Sequence, residues 1–289
     1  MYIITHRGLD PSKENYFVES SYEAFEDQLT RGFGLEFDLQ TTKDSEIVIS
    51  HDKNLGRISR GADVRSIDQL TADEISSLSF DNCHLASLPE LIDLINEKGG
   101  VKSMHAIHIK HSFQKKESLD TLLENLSKAD TKNFILFDVT VETAKYLKGK
   151  NSALNLAPSV AHPFDIERYN QAVGGTLLSV EDVLTHPALF NWVWLDEWDR
   201  TDKDNGAKKF YTKEVFQKFR DQGMRIAVVS PELHATSPSL LGGEAHQDAL
   251  SMNVLEGRLR EIIALNPDAI CTDYPDMIRS CAIDYASTK

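Results

Sequence analysis

The sequence predicts a (β/α)8 TIM barrel, a single domain over residues 1–289, with a β-hairpin after the second strand. Short apolar runs typical of strands lie near residues 4, 36, 108, 136, 156, 194, 228 and 270, and a helical pattern follows each of them. This alternation indicates a parallel sheet covered by helices, and eight such units favour a barrel over an open sheet. The chain has no linker rich in proline, glycine or serine and no internal repeat, which favours one domain.

The first β/α unit begins with the run Tyr2–Thr5, which predicts a buried strand ending at His6-Arg7-Gly8. A helix with Tyr22, Phe25 and Leu29 on one face follows, and it leads to a strand at Gly34. Further along, Ser87-Leu88-Pro89-Glu90 has the pattern of a capping box, which predicts that a helix begins there.

The second strand carries two carboxylates, Glu36 and Asp38, two residues apart. Residues at i and i+2 of a strand share a face, so both side chains are expected to point the same way. Thr42–Ser45 is typical of a tight turn, after which a second β-like run ends in His51. An even-length turn would return His51 to the same face, close to Glu36 or Asp38.

The composition of the chain argues against several classes of partner and location. A formal net charge of −14 argues against nucleic acid or an anionic membrane as a general partner, and it requires local cations for any anionic substrate. The three cysteines, Cys83, Cys271 and Cys281, are too scattered for a disulfide framework. No apolar stretch is long enough for a membrane span, and the start of the chain does not fit a signal peptide. We expect a cytoplasmic protein without stable membrane association.

Polar side chains are predicted to collect where the strands end, which is the rim that carries the active sites of such barrels. These ends are His6 and Arg7, Glu36 and Asp38, His108 and Lys110, Asp138, Ser159, Asp196 and Glu197, Glu232, and Asp273. Paired carboxylates can hold Mg²⁺ or Ca²⁺, two histidines can act as acid and base, and Arg7 and Lys110 can neutralise an anion. Together these groups suit phosphoryl transfer. Taken singly, an E-x-D pair is equally consistent with a salt-bridged strand edge, and His51 with a packing histidine.

The motifs, in their order, resemble the glycerophosphodiester phosphodiesterase family of phospholipase C-like barrels. They are His6-Arg7-Gly8, Glu19-Ser20-Ser21, Glu36-Phe37-Asp38, Thr42-Lys43-Asp44, Val48-Ile49-Ser50-His51-Asp52 and Thr272-Asp273-Tyr274-Pro275. The resemblance implies a metal-dependent hydrolase that acts on a glycerophosphodiester or a related small or polymeric phosphodiester. It further implies the following roles: His6 and His51 as the acid–base pair, Glu36 and Asp38 as metal ligands, Arg7 and Lys110 as phosphate-binding residues, and Glu19 as a supporting residue.

One position departs from the family pattern. The family has Glu-Ile-Lys where this chain has His108-Ile109-Lys110, so the third carboxylate ligand is missing. Three explanations stay open: His108 ligates a softer metal than the expected Mg²⁺ or Ca²⁺, Asp196 or Glu232 supplies the third ligand, or metal binding is weak and the activity is altered. We slightly favour the second.

Two other functions compete with the hydrolase. A barrel that binds a phosphorylated ligand without catalysis is suggested by His108, although the presence of both His6 and His51 speaks against it. A phospholipase that works at a membrane surface ranks low, because the overall charge is acidic.

Overall fold

The computed structural model describes residues 1–99, 103–198, 208–233 and 246–287. The chain divides into two compact units. The first unit comprises residues 4–135, and the second comprises residues 1–3 together with residues 136–289.

Strands alternate with helices along the described residues. The strands are β1 (Tyr2–His6), β2 (Gly34–Thr41), β3 (Ile47–Ile49), β4 (His105–His108), β5 (Phe134–Phe137), β6 (Asn155–Ala157), β7 (Ser159–Ala161), β8 (Trp192–Asp196), β9 (Arg225–Val229) and β10 (Ala269–Thr272). The helices are α1 (Tyr22–Thr30), α2 (Ala72–Ser76), α3 (Leu88–Lys98), α4 (Lys116–Leu126), α5 (Val141–Lys150), α6 (Pro163–Tyr169), α7 (Val180–Leu184), α8 (Lys213–Arg220), α9 (Met252–Ala264) and α10 (Pro275–Ser287). All eight predicted strand positions are occupied by strands.

In the first unit β2 pairs in parallel with β1 on one side and with β4 on the other. The register places Glu36 opposite His6 and Asp38 opposite His108. Because parallel strands end at the same edge, the polar ends of three strands meet there. This pairing is what assembles the site.

Helix starts in the first unit follow local capping rules. The predicted capping box of α3 is present: the Ser87 side chain accepts from the Glu90 N–H, and the Glu90 carboxylate accepts from the Ser87 N–H. In α1 the Ser21 side chain accepts from the Ala24 N–H, and Ala24, Phe25 and Leu29 face the core. These helices cover the strands that carry the site.

A small apolar cluster anchors the chain after β3. Its buried members are Val48, Leu55, Ile67, Leu70, Ile75, Phe80 and Leu85. Leu55 is completely buried, and its N–H donates to the Arg65 carbonyl. The segment that follows His51 is therefore packed and hydrogen-bonded at both of its ends.

In the second unit β7, β8, β9 and β10 lie side by side in parallel. The single strand predicted near residue 156 is two short strands, β6 and β7, separated by Pro158. Proline has no N–H for the ladder, although its carbonyl still accepts from the Trp194 N–H at 3.0 Å. Helix α6 was not predicted; its sequence signal is Pro163 at the first helical position after His162.

Candidate active site

Glu36 and Asp38 lie on β2, and both carboxylates are buried, as their spacing predicts for a shared face. One ligand atom each of Glu36, Asp38 and His108 lies within 4.8 Å of the other two. His108 is the last residue of β4, directly opposite Asp38 in the parallel register. The strand pairing therefore brings together two carboxylates and one imidazole.

Asp38 is surrounded by basic groups. Lys110 Nζ lies 3.0 Å from its Oδ1, Arg7 Nε lies 3.4 Å from its Oδ2, and His108 Nδ1 lies 2.8 Å from its Oδ1. Burial by itself would raise the pKa of Asp38, but the charge of Lys110 and the hydrogen bond with His108 outweigh it and hold the pKa well below its usual value. Asp38 is therefore a carboxylate at neutral pH.

The pKa of Glu36 is shifted in the opposite direction from that of Asp38. Its Oε2 atom is buried, and it has no hydrogen-bond partner among the described residues. Burial, with the charge of Asp38 added, raises the pKa of Glu36. A buried carboxylate oxygen without a partner requires an explanation, and a bound cation supplies one. Ligand atoms of the three side chains lie within 4.8 Å of one another, so one divalent ion could bind all three if it replaced the hydrogen bond between His108 and Asp38.

His6 and Arg7 end β1 in a strained turn. Arg7 has φ +54°, a conformation that costs on the order of 1–3 kcal/mol for a residue other than glycine. Its N–H donates to the Glu36 carbonyl at 3.0 Å, and its carbonyl accepts from the Ser20 N–H at 2.8 Å. Gly8 follows with φ +70°, where an added Cβ would lie 3.0 Å from that of Ala24. The turn thereby holds the Arg7 guanidinium between Glu19 and Asp38.

His51 follows the hairpin, but the hairpin connection differs from the one that the sequence predicted. The connection between β2 and β3 is residues 42–46, since Thr41 pairs with Ile47. This is an odd-length loop, so the even-length prediction is wrong; the chain leaves the ladder after Ile49. The His51 carbonyl instead accepts from Lys110 Nζ at 2.6 Å and from Gln40 Nε2 at 3.2 Å, which fixes its position.

The His51 imidazole is neutral at physiological pH. Burial lowers its pKa to about 4, although the charge of Asp38 and a hydrogen bond with Asp52 act in the other direction. His51 Nδ1 lies 2.7 Å from Asp52 Oδ1. With Asp52 ionised, Nδ1 carries the proton, so Nε2 is the basic nitrogen.

Eight of the predicted site residues are brought together in the first unit: His6, Arg7, Glu19, Glu36, Asp38, His51, His108 and Lys110. Asp52 and Arg57 contact residues of this group but were not predicted as site residues. The adjacency of Asp52 to His51 was the available signal for the first, whereas the local pattern carries no signal for Arg57.

Asp196 and Glu232, the alternative third ligands, belong to the second unit. Glu232 Oε1 accepts from Ser230 Oγ at 2.5 Å, from Thr272 Oγ1 at 2.6 Å and from the Asp273 N–H at 3.0 Å. Burial raises the pKa of Glu232, and the charge of Asp273 adds to the effect. A role of Asp196 or Glu232 as a ligand stays a prediction.

A second acidic group in that unit, Glu197, His246 and Asp248, also has ligand atoms close together. Arg258 NH2 lies 2.6 Å from Glu197 Oε1, and Arg258 Nε lies 3.3 Å from Asp248 Oδ2. Glu197 Oε2 also accepts from the Tyr211 N–H at 2.9 Å. A guanidinium already compensates these carboxylates, so we interpret the group as a structural ion pair.

The chain is similar to known proteins over nearly its whole length. The sequence model of the glycerophosphoryl diester phosphodiesterase family matches residues 6–277. A solved glycerophosphoryl diester phosphodiesterase from Parabacteroides distasonis is 21% identical with a TM-score of 0.65, covering 98% of this chain and 86% of that one. A glycerophosphodiester phosphodiesterase from Thermotoga maritima is 20% identical with a TM-score of 0.60, covering 96% of each chain. A phosphodiesterase from Oleispira antarctica, solved with the product sn-glycerol-3-phosphate, is 14% identical with a TM-score of 0.65, covering 98% of this chain and 97% of that one.

These likenesses extend over nearly the whole chain and confirm the predicted fold class, a (β/α)8 TIM barrel. Curated protein sequences yield no significant match. Among the helices of the described residues, none combines the length and the apolar character needed to cross a membrane.

Proposed function

The chain belongs to the glycerophosphoryl diester phosphodiesterase family and is therefore a phosphoric diester hydrolase; we propose that it cleaves a glycerophosphodiester with a divalent metal ion and two histidines. The observation that carries the proposal is the buried arrangement in the first unit. There the unpartnered carboxylate oxygen of Glu36 lies in one group with Asp38 and His108. The backbone carbonyl of His51, whose imidazole is neutral, accepts a hydrogen bond from Lys110 beside this group.

Arg7 and Lys110 bind the phosphate in this proposal. Both cations already contact Asp38, so they are positioned before the substrate arrives and need little reorganisation to accept a dianionic transition state. A divalent ion held by Glu36 and Asp38 would supply further stabilisation of charge on the phosphoryl oxygens. The predicted ions are Mg²⁺ and Ca²⁺, or a softer ion if His108 is the third ligand.

His51 and His6 move the protons. His51 Nε2 takes the proton from the attacking hydroxyl, either water or a substrate hydroxyl beside the phosphate, as the new P–O bond forms. His6 donates a proton to the oxygen of the departing alcohol as the old P–O bond breaks. If a substrate hydroxyl attacks, the first product is a cyclic phosphate, which water opens by the reverse use of the same two groups.

Glycerophosphodiesters are the proposed substrates, and a glycerol phosphate is one proposed product. The support is the family itself and the Oleispira antarctica phosphodiesterase, which was solved with the product sn-glycerol-3-phosphate. We further propose that residues 1–289 form one domain, that the protein is cytoplasmic, and that it neither binds nucleic acid nor associates stably with membranes. The net charge of −14 and the buried free thiols of all three cysteines support this location and these partners.

Hydrolysis of glycerophosphodiesters and of bis(4-nitrophenyl) phosphate by the purified protein, with Mg²⁺, Ca²⁺, Mn²⁺ and Zn²⁺ in turn, tests the function. We expect turnover with at least one ion, and a loss of about 100-fold or more in His6→Ala and in His51→Ala. His111→Ala, at an exposed histidine after β4, is the matched control and should keep the wild-type rate. Absence of turnover with every ion, or full activity in His6→Ala, would show that the proposal is wrong.

His108 decides which ion is preferred. A set of two carboxylates and one imidazole favours Mn²⁺ or Zn²⁺ more than an all-oxygen set does. Calorimetric titration should therefore show that His108→Glu gains affinity for Ca²⁺ and loses affinity for Zn²⁺, whereas His111→Glu changes neither. If the two metal affinities of His108→Glu stay at the wild-type values, the third ligand is another residue, with Asp196 and Glu232 as the candidates.

A second candidate function is binding of a phosphorylated ligand without catalysis, and the observation that favours it is His108. The short contact between His108 and Asp38 could persist in place of a metal ion, which would leave Arg7 and Lys110 as a phosphate-binding pair. Calorimetry that shows binding of glycerol phosphate in the presence of a chelator, together with no turnover under any condition, would support this function over the hydrolase.

A further inference from the structure

Arg57 lies six residues after His51, outside the motifs that carry the proposed chemistry, yet it makes three charge-assisted hydrogen bonds. Its NH1 and NH2 donate to Glu19 Oε2 and Oε1 at 2.7 and 2.6 Å, a bidentate pair. Its Nε donates to Asp52 Oδ2 at 2.6 Å. One guanidinium thus joins two loops, the loop after β1 and the loop after β3.

Asp52 uses its other oxygen on His51. Oδ1 lies 2.7 Å from His51 Nδ1, while Oδ2 is held by Arg57. The hydrogen bond with His51 and the hydrogen bond and charge of Arg57 lower the pKa of Asp52, in spite of its partial burial. Asp52 is therefore an ionised acceptor with both oxygens oriented, which is the arrangement that fixes the tautomer and the plane of a histidine ring.

The backbone around Arg57 is held independently of this contact. Leu55 is buried in the apolar cluster after β3, and the Gly61 N–H donates to the Gly56 carbonyl at 2.7 Å. Ser59 and Ala62 extend the same turn with further backbone hydrogen bonds. The guanidinium therefore projects from a rigid support, and its removal is not expected to unfold the loop.

Glu19 connects the Arg57 guanidinium to Arg7 and, through Arg7, to Asp38. Its Oε1 lies 3.7 Å from Arg7 NH1, and Arg7 Nε lies 3.4 Å from Asp38 Oδ2. Burial opposes ionisation of Glu19, but the hydrogen bond from Arg57 and the charge of Arg7 outweigh it and lower its pKa. The charges of the side chains therefore alternate in sign along a row that leads from His51 to the buried carboxylates. The members of this row are, in order, Asp52, Arg57, Glu19, Arg7 and Asp38.

We propose that Arg57 is a positioning residue for the reaction: it holds Asp52 so that Asp52 keeps the proton of His51 on Nδ1 and the basic lone pair on Nε2. The inference rests on the role proposed above for His51. In this role Arg57 acts through Asp52 and not by contact with the substrate. Its second contact, with Glu19, keeps the guanidinium from rotating away from Asp52, which is why a forked side chain is needed and a lysine would be a partial replacement.

The first test compares Arg57→Ala, Asp52→Asn and the double variant with the wild type on bis(4-nitrophenyl) phosphate. We expect Arg57→Ala to lower kcat by about 10- to 100-fold with little change in KM, by analogy with the range for groups that orient a metal-binding histidine. Because both residues act through His51, Arg57→Ala should lower kcat much less in the Asp52→Asn background than in the wild type. Arg57→Lys should recover part of kcat, and added guanidinium should recover part of it in Arg57→Ala.

Arg60→Ala is the matched control. Arg60 lies in the same loop and pairs with Asp81, but its side chain is 80% exposed, so its removal changes the net charge equally without reaching His51. It should keep the wild-type kcat. If Arg57→Ala also keeps it, or if the losses of the two single variants simply add in the double variant, the positioning role is wrong while the proposed function stands.

The second test does not depend on activity. A proton shared between His51 Nδ1 and Asp52 is expected to give a resolved downfield resonance in proton NMR spectra, identified by its loss in Asp52→Asn. We expect the resonance to be lost or shifted in Arg57→Ala and to be unchanged in Arg60→Ala. Its full retention in Arg57→Ala would overturn the inference, whether or not the wild type hydrolyses a diester.

Discussion

His105 opens β4, the strand whose far end carries His108, and its ring is buried against Phe134. Its Nδ1 accepts a hydrogen bond from the Leu35 N–H at 3.2 Å, next to Glu36 on β2. Burial lowers the pKa of His105 to about 3. The ring therefore stays neutral in the folded protein. The hydrogen bond from the Leu35 N–H on β2 to His105 on β4 requires this, because only an unprotonated Nδ1 can accept it.

The consequence is a loss of stability in acid. In the unfolded chain a histidine binds a proton near pH 6.5, whereas the folded protein binds it near pH 3. Between these values the unfolded state holds more protons, so the free energy of unfolding decreases as the pH falls. At up to about 1.36 kcal/mol per pH unit, His105 removes about 2 kcal/mol between pH 8 and pH 5, most of it below pH 6.5. That is a sizeable part of a typical stability of 5–15 kcal/mol.

Urea unfolding of the wild type and of His105→Asn at pH 8, 6.5 and 5 measures this effect. The amide oxygen of asparagine can accept the Leu35 N–H but does not titrate. The variant starts from a lower stability because it leaves a cavity, so only the change with pH is compared. We expect the wild type to lose about 2 kcal/mol more than His105→Asn between pH 8 and pH 5.

His84 is a control of opposite sign. Although burial opposes it, hydrogen bonds with Glu23 at 2.9 Å and Glu90 at 3.3 Å raise the pKa of His84. Its contribution is complete at pH 5 and is lost as the pH rises through the folded-state pKa, so His84→Asn should cost more at pH 5 than at pH 8. If His105→Asn and the wild type lose stability in parallel, His105 is not the buried neutral group described above, and the reasoning is refuted.

Three further outcomes are expected in urea unfolding with a chelator present. Asp38→Asn should lower the free energy of unfolding by about 3–5 kcal/mol, because Arg7 and Lys110 lose the buried charge that they contact; a change below about 1 kcal/mol would contradict this. Ser87→Ala removes a helix N-cap and should cost about 1 kcal/mol, which Ser87→Thr should largely restore. Gly8→Ala should cost on the order of 1–2 kcal/mol because of the positive φ, and a neutral result would show that the turn can relax.

Most of the secondary structure could be predicted because the signals are local. The alternation that places Glu36 and Asp38 on one face depends only on strand geometry, and the capping box at Ser87 depends on residues three apart. Two local features differ from the prediction. Pro158 splits one strand into two, and the hairpin connection is one residue longer than the predicted turn.

Much of the candidate site was also predictable, since the carboxyl ends of parallel strands meet at one edge. The sequence could therefore group His6, Glu36, Asp38, His108 and Lys110 without any knowledge of distances. It could not show that Asp38 is the shared partner of the cations, or that Glu36 retains an unpartnered oxygen. Those facts depend on side-chain directions that only packing decides.

By itself, then, the sequence determined the order of strands and helices, the strand ends that form the candidate site, and the departure at His108. Only the tertiary structure decided the partners: Arg57 contacts Glu19 across 38 residues, and His105 contacts Leu35 across 70. Local propensities and residue spacing act within a few residues, so the structure that they produce can be predicted from the sequence pattern. Contacts between distant segments form only when burial brings their elements together, and the support of His51 by Asp52 and Arg57 becomes visible only then.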